Sequence, residues 1–173
     1  MYKQIKIILF SFSNFFLSLP FSILGLSKFN ENEARADWQP PGYVFGIVWP
    51  ILYYLFGLIN LKVLFSNITS SKKNQILKNS IRESIFQTSW LFVTGNYGNG
   101  RLPIQNILGF IIISLLVYYA YIVRLPSLYT LKSNIFYYYI PYCLWIFFAL
   151  ILNFQIVKNN LKTININSGT VAK

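Results

Sequence analysis

Five apolar segments separated by short polar stretches follow one another along the chain, at residues 7–26, 43–65, 81–95, 104–123 and 135–157. A membrane-spanning helix needs about 20 predominantly apolar residues, and every segment but the third reaches that length. The pattern predicts an all-α integral membrane protein built as a five-transmembrane-helix bundle. Residues 1–160 would form its single domain, and the polar tail 161–173 is expected to be disordered.

The third segment, 81–95, is the least apolar of the five. Residues three or four apart share a helix face, and one face of this segment carries Glu83, Gln87, Trp90 and Thr94. Such a stripe has to turn towards the other helices. Arg82 and Glu83 are expected to anchor the helix end at the head groups, with a place inside the bundle as the alternative.

A rigid Pro40-Pro41 hinge precedes the second segment, since proline lacks the N–H that a regular helix requires. The helix that follows presents one aromatic stripe made of Trp49, Tyr53 and Phe56. Gly46 and Gly57 border the stripe, where a neighbouring helix can approach closely. The sequence therefore predicts a stiff connection leading into a helix with an aromatic inner face.

Composition agrees with the membrane assignment, because 55% of the residues are hydrophobic and only 11% are charged, against roughly 25% charged in soluble domains. The net charge of +11 does not indicate nucleic acid, since the basic residues lie between the apolar segments and suit anionic head groups. Segment 7–26 is interpreted as a retained helix. A signal peptide is the alternative, but its apolar core usually has only about 7–15 residues and precedes a small-residue cleavage site.

Several kinds of chemistry are excluded by the residue inventory. The chain has no histidine, one cysteine (Cys143) and one methionine (Met1), so neither a metal site nor a redox haem is expected. Glu83 is the only carboxylate within the five segments, so no pair of residues for general acid–base catalysis is present. No catalytic residue is assigned on these grounds.

Two tryptophan-containing motifs stand out, one at the start of the second segment and one in the fifth. The first reads Trp38-x-Pro40-Pro41-x-x-Val44-Phe45-Gly46-x-Val48-Trp49-x-x-Leu52-Tyr53, and the second Pro141-Tyr142-x-x-Trp145-x-x-x-Ala149-x-x-Leu152-Asn153-Phe154. In this order and at this separation they resemble the TspO/MBR family, which comprises the tryptophan-rich sensory proteins of bacteria and the mitochondrial translocator protein.

The chain departs from the family pattern between these motifs. The family usually carries Asn-Trp-x-Trp-x-Pro in its third helix, where this chain has Gln87-Thr88-Ser89-Trp90-Leu91-Phe92 and keeps one tryptophan. A tryptophan and an acidic residue common near the start of the fourth helix are replaced by Leu102 and Asn106. These losses count against the porphyrin-degrading activity of some bacterial relatives.

The resemblance implies a five-helix bundle, commonly homodimeric, with a ligand cavity capped by the first loop. Family ligands are protoporphyrin-like tetrapyrroles, sterols, and benzodiazepine-type drugs. No cofactor is required, and the tetrapyrrole enters as ligand, with its propionates expected to meet Lys28 and Arg35. Carried over position by position, the expected ligand-binding residues are Trp38, Tyr43, Phe45, Trp49, Tyr53, Gln87, Trp90, Tyr142, Trp145, Ala149, Leu152 and Asn153.

The function expected from this resemblance is binding of a tetrapyrrole between the helices by a sensor, regulator or carrier. Two alternatives stay open: a light- and oxygen-dependent porphyrin-degrading enzyme, using Trp49 and Trp145, and a translocator of sterols or lipids. A bacterial membrane is favoured because abundant Ile, Asn, Lys and Phe suggest an AT-rich genome. A mitochondrial or other organelle membrane is the alternative.

Overall fold

The computed structural model describes residues 36–94, 103–131 and 134–171, together with Leu9, Phe12, Ser13 and Phe16, and it describes side chains as far as Lys162. This part of the chain is helical and contains no strand. It has four long helices: α1 (Gly42–Leu64), α2 (Ser70–Thr94), α3 (Pro103–Tyr119) and α4 (Ile140–Val171). The all-α prediction is confirmed. The predicted helix at 7–26 lies outside the described residues but for those four positions, so the count of five stays a prediction.

Three helical segments are long and apolar enough to cross a membrane: Gly42–Leu64, Ile104–Tyr129 and Asn134–Lys162. Their outer faces expose large apolar side chains suited to lipid, among them Ile47, Ile51, Leu108, Leu115, Leu144, Phe147 and Ile151. The protein is therefore an integral membrane protein. α2 is more polar, and its polar side chains pack inward: Asn79, Ser80, Glu83, Ser84 and Gln87 are all buried.

α1 begins and ends within one residue of the predicted boundaries. Pro41 is extended (φ −56°, ψ 149°) and its carbonyl accepts the N–H of Val44 at 3.0 Å, so the hinge passes directly into the first helical turn. Close approach at Gly57 is observed, because a Cβ built there would lie 2.3 Å from a ring carbon of Phe12. The aromatic stripe of α1 faces inward as predicted.

α2 begins at Ser70, although the apolar pattern placed its start near residue 81. Thr69 caps it, since its Oγ1 accepts the N–H of Lys72 at 3.4 Å and its carbonyl accepts the N–H of Lys73 at 3.0 Å. A threonine cap of this kind offers acceptors to the free N–H groups of the first turn. The lysines at 72, 73 and 78, predicted to lie in a loop, therefore lie on α2. The apolar pattern does not predict this start, because the first turns of α2 consist mostly of polar residues.

α3 does not end near residue 123 but continues through a π-helical turn (Ala120–Arg124) and final helical turns at Leu125–Tyr129. Pro126 cannot donate an N–H to the carbonyl four residues earlier. The chain widens instead, and the Leu125 N–H donates to the Ala120 carbonyl, five residues back. A loop predicted at 125–134 is therefore helical in its first half. The wider turn leaves the Arg124 side chain fully buried in the bundle.

α4 follows a 3-10 turn at Asn134–Tyr138 and carries Pro141 in its first turn. Proline is well tolerated there, because the first N–H groups of a helix have no partner inside it. The helix runs on to Val171, so most of the tail predicted to be disordered has helical backbone. α3 packs between α2 and α4, which places α4 across the bundle from the polar stripe of α2.

An ion pair lies at the centre of the helices. Arg124 Nε and Glu83 Oε2 are 3.4 Å apart, and both side chains have no solvent-exposed surface. The prediction that Glu83 anchors the helix end at the head groups is wrong, whereas its neighbour Arg82 is exposed. α2 starts well before residue 81, so Glu83 is a mid-helix position on the inner face.

Hydrogen bonds join this ion pair to α1, to further positions on α2 and to Tyr139 at the start of α4. Arg124 donates to the Ile76 carbonyl at 2.6 Å and to Asn60 Oδ1 at 3.1 Å. The same Asn60 oxygen accepts the Ser80 hydroxyl at 2.8 Å, and the Tyr139 hydroxyl donates to Glu83 Oε1. We call these side chains, Asn60, Ser80, Glu83, Arg124 and Tyr139, the polar centre. It ties together α1, α2, the π-helical turn and the start of α4.

Removing one charge of this pair should destabilise the protein strongly. Arg124→Met leaves the Glu83 carboxylate buried without its counter-charge, which typically costs about 3–5 kcal/mol. Thermal unfolding of the purified protein in one detergent, followed by circular dichroism, measures the loss.

Two further variants serve as controls for that measurement. Arg82→Met removes an exposed arginine from the adjacent position and should change the unfolding midpoint little. Glu83→Gln combined with Arg124→Met removes both charges and should recover most of the stability, since a buried pair replaced by uncharged groups is often neutral. Equal losses for Arg82→Met and Arg124→Met would contradict a central ion pair.

Candidate functional site

Three tryptophans from three helices meet inside the bundle. Trp49 of α1 lies 5.6 Å from Trp90 of α2 and 6.2 Å from Trp145 of α4, measured between ring centroids. Trp49 and Trp90 are buried and Trp145 is half-buried. Each of the three helices turns its aromatic face towards the interior of the bundle, so the three rings meet there. We call these three residues the tryptophan cluster.

Further aromatic rings extend the cluster. Tyr53 stacks on Trp49 with centroids 5.5 Å apart and ring planes 22° apart. Phe45 lies 5.6 Å from Trp145, and Trp145 lies 5.1 Å from Phe148. Stacked and tilted contacts of this length are those that aromatic pairs favour. The cluster is therefore closely packed and almost wholly aromatic.

Two of the predicted ligand residues lie at the outer edge of this group. Trp38, before the hinge, meets Phe148 edge-on at 5.8 Å and keeps 48% of its surface exposed. Tyr43 is 65% exposed. The structure places Trp38 at the border of the aromatic group and Tyr43 outside it.

One helical turn from the tryptophans, the interior becomes polar. Gln87 precedes Trp90 by three residues on α2, and Tyr142 precedes Trp145 by three on α4, so each pair shares a helix face. The Tyr142 hydroxyl donates to Gln87 Oε1 at 3.5 Å, and both side chains are buried. This pair separates the tryptophan cluster from the polar centre.

The remaining predicted residues lie farther along α4. Ala149 and Leu152 are buried. Asn153 donates to the Ala149 carbonyl at 2.7 Å, within its own helix, and its Oδ1 lies 3.6 Å from where a Cβ on Gly109 would be. Asn153 therefore packs against α3. Asn60, on the same helix as Trp49, belongs to the polar centre, whereas Gln87 lies one turn from Trp90 on α2.

Two indole nitrogens of the tryptophan cluster are buried without a hydrogen-bond acceptor among the described residues. They are Trp90 Nε1 and Trp145 Nε1. The indole N–H can only donate, and a buried donor left without an acceptor costs about 1–3 kcal/mol.

Sequence reasoning missed two residues of the interior, Arg124 and Tyr139. Arg124 directly follows the fourth apolar segment, where a basic residue is expected to meet the head groups, and Tyr139 is one of three consecutive tyrosines. A signal for Arg124 was present in Pro126, two residues later, because a proline that interrupts a helix ladder can change the facing of nearby side chains. Tyr139 had no such signal.

The sequence was compared with protein-family models and with curated protein sequences. The model of the TspO/MBR family matches residues 9–158, a range that includes both tryptophan motifs, α1–α3 and the first half of α4. No curated protein sequence matches the chain.

Trp49 should dominate the near-ultraviolet circular dichroism of the protein, because its ring contacts both other members of the tryptophan cluster. Trp49→Phe is expected to remove most of the tryptophan signal, while Trp38→Phe, which changes a half-exposed ring, should leave it largely intact. Far-ultraviolet spectra of both variants check that the helices persist. Similar spectral losses in the two variants would contradict the packed cluster.

Proposed function

Because this chain belongs to the TspO/MBR family, we propose that it binds a protoporphyrin-like tetrapyrrole at the tryptophan cluster and serves as a sensor, regulator or carrier of that ligand. The observation that carries the proposal is the pair of buried indole N–H groups, on Trp90 and Trp145, without an acceptor among the described residues. A ligand with nitrogen or oxygen acceptors would satisfy both.

The shape and chemistry of the cluster favour a flat conjugated ligand. Trp49 stacks on Tyr53 and meets Trp145 edge-on. A tetrapyrrole is also a flat π system, so it can make the same two kinds of contact with these rings. Aromatic pairs gain about 0.5–1.5 kcal/mol beyond the area that they bury. Binding sites for small molecules are typically apolar with a few convergent polar groups, as the tryptophan cluster is.

The charges of the described interior do not compete for the ligand. Arg124 is paired with Glu83 and hydrogen-bonded to Ile76 and Asn60, so the macrocycle would meet uncharged rings. The predicted contacts of its propionates with Lys28 and Arg35 lie outside the described residues and stay part of the proposal. Sterol or lipid binding and a homodimeric state likewise stay predictions.

Removing only the indole N–H groups tests the proposal. Replacement of Trp90 or Trp145 by β-(3-benzothienyl)alanine keeps the ring shape and replaces N–H by sulfur. Loss of one hydrogen bond, worth about 0.5–1.5 kcal/mol, should weaken binding of protoporphyrin IX roughly 2- to 13-fold. Titration in the dark, followed by quenching of the remaining tryptophan fluorescence, measures the affinity.

The same replacement at Trp38 is the matched control, because that ring lies at the border of the aromatic group. Its affinity should equal that of the unmodified protein. Absence of saturable quenching by protoporphyrin IX in the unmodified protein would overturn the proposal. Unchanged affinity at both Trp90 and Trp145 would place the ligand elsewhere.

Illumination of the loaded protein then separates binding from degradation. A sensor or carrier should show no loss of the porphyrin absorption bands beyond that of porphyrin in empty detergent. A faster loss that disappears with Trp145→Phe would instead favour the degrading enzyme.

A further inference from the structure

Glu83 has an unusual position for a carboxylate. Of the four acidic residues in the chain, it alone lies within α1–α4, and it is fully buried. One of its oxygens accepts the hydroxyl of Tyr139, and the other faces the Arg124 guanidinium at 3.4 Å. A buried tyrosine is thus in hydrogen-bond contact with the one carboxylate in these four helices.

Tyr139 is also connected to the tryptophan cluster through aromatic rings. Its ring lies 5.2 Å from that of Tyr142, and Tyr142 lies one turn from Trp145 on the same face of α4. Across the bundle, Phe56 contacts both tyrosines, with centroids 6.3 and 5.8 Å away. Trp145 and Tyr139 are six positions apart, about 9 Å along a helix. Electron transfer over such short, aromatic-filled distances needs no large motion.

We propose that Tyr139 is a redox-active tyrosine that reduces an oxidised tryptophan of the cluster, with Glu83 as the acceptor of its proton. A one-electron oxidant removes an electron from a tryptophan and leaves an indole radical cation. Tyr139 returns one electron to the indole, its O–H bond breaks, and the proton moves to Glu83. The products are neutral tryptophan, a neutral tyrosyl radical and a protonated Glu83.

Charge is conserved through this step. The positive charge first created on the indole appears at the end as the charge of Arg124, which protonated Glu83 no longer balances. Arg124 keeps its hydrogen bonds to Ile76 and Asn60, and its guanidinium lies 5.5 Å from the centroid of the Phe56 ring. These contacts stabilise an arginine that has lost its counter-ion, and recovery of the ion pair drives the proton back when the radical is reduced.

The hydrogen-bond partner distinguishes Tyr139 from Tyr142. A base has to lie within hydrogen-bond reach of the proton that it takes, and both hydroxyls have such a partner. Tyr142 donates at 3.5 Å to the amide oxygen of Gln87, which is too weak a base to take the proton, and its contact with Glu83 is weaker than that of Tyr139. Tyr139 donates to a carboxylate. Oxidation should therefore end at Tyr139, although Tyr142 lies closer to the tryptophans along α4.

In the membrane, the oxidant would be a photo-excited tetrapyrrole bound at the tryptophan cluster, and in this respect the inference rests on the proposed function. The step would transfer the oxidation from the indole rings that contact the ligand to Tyr139, away from the ligand. A chemical oxidant can replace the tetrapyrrole in the test, so the two proposals can fail separately.

The experiment uses the full chain in lipid nanodiscs, illuminated with a ruthenium tris(bipyridine) photo-oxidant and persulfate as terminal acceptor, without any tetrapyrrole. Samples frozen after illumination are examined by electron paramagnetic resonance. A tyrosyl radical is expected, and ring-deuterated tyrosine should narrow its spectrum. Tyr139→Phe should abolish that signal in favour of a tryptophan radical, whereas the matched control Tyr142→Phe should keep it. The proposal would be overturned if the tyrosyl signal persisted in both variants. It would also be overturned if the signal were lost in Tyr142→Phe alone.

The role of Glu83 has its own measurement. Glu83→Gln, combined with Arg124→Met to keep the site uncharged, should slow formation of the tyrosyl radical roughly 100-fold, the lower end of what a positioned base contributes. Unmodified protein equilibrated in D₂O should form the radical more slowly than in H₂O, which tests the proton step even if the double variant does not fold. Equal rates in the two solvents would show that Tyr139 loses its proton separately from the electron and would contradict transfer to Glu83.

Discussion

The pairing of Glu83 with Arg124 constrains the rest of the structure. A single charge in the middle of a membrane bundle is strongly unfavourable, so each partner depends on the other to be there at all. Their meeting depends on the early start of α2 at Ser70, which makes Glu83 a mid-helix residue. It also depends on the π-helical turn that directs Arg124 inward. Asn60 on α1 and Tyr139 at the start of α4 then supply the hydrogen bonds that complete the arrangement.

The interior that results changes character along the helix axes. At one end, Trp49, Trp90 and Trp145 form an uncharged aromatic group, in which two N–H donors have no acceptor among the described residues. One turn away, Tyr142 and Gln87 form a neutral hydrogen bond, and beyond them lies the ion pair. The proposed ligand site and the buried charges are thus separated by a neutral layer, so a ligand bound among the rings would leave the ion pair intact.

Sequence reasoning predicted the features that depend on local pattern. The boundaries of α1, the inward face of its aromatic stripe and the meeting of Trp49 with Trp145 follow from helical spacing and from the two motifs. It did not find the start of α2, because a polar first turn capped by Thr69 has no apolar periodicity. It also placed Glu83 at the head groups, because whether a charge is buried depends on a partner far along the chain. Arg124 acts as that partner from the π-helical turn that precedes Pro126, and apolar periodicity does not predict such a turn.

The same ion pair bears on what chemistry is open to this protein. The chain has no histidine and Glu83 is the one buried carboxylate among the described residues, so proton transfer at this carboxylate requires a proton donor in contact with it. The Ser80 hydroxyl donates to Asn60 and not to Glu83. Among the described side chains, Tyr139 makes the direct hydrogen bond to Glu83 and Tyr142 makes a weaker contact with it, and a phenol loses its proton readily only when it is oxidised. Any chemistry at the polar centre is therefore expected to couple the proton to an electron.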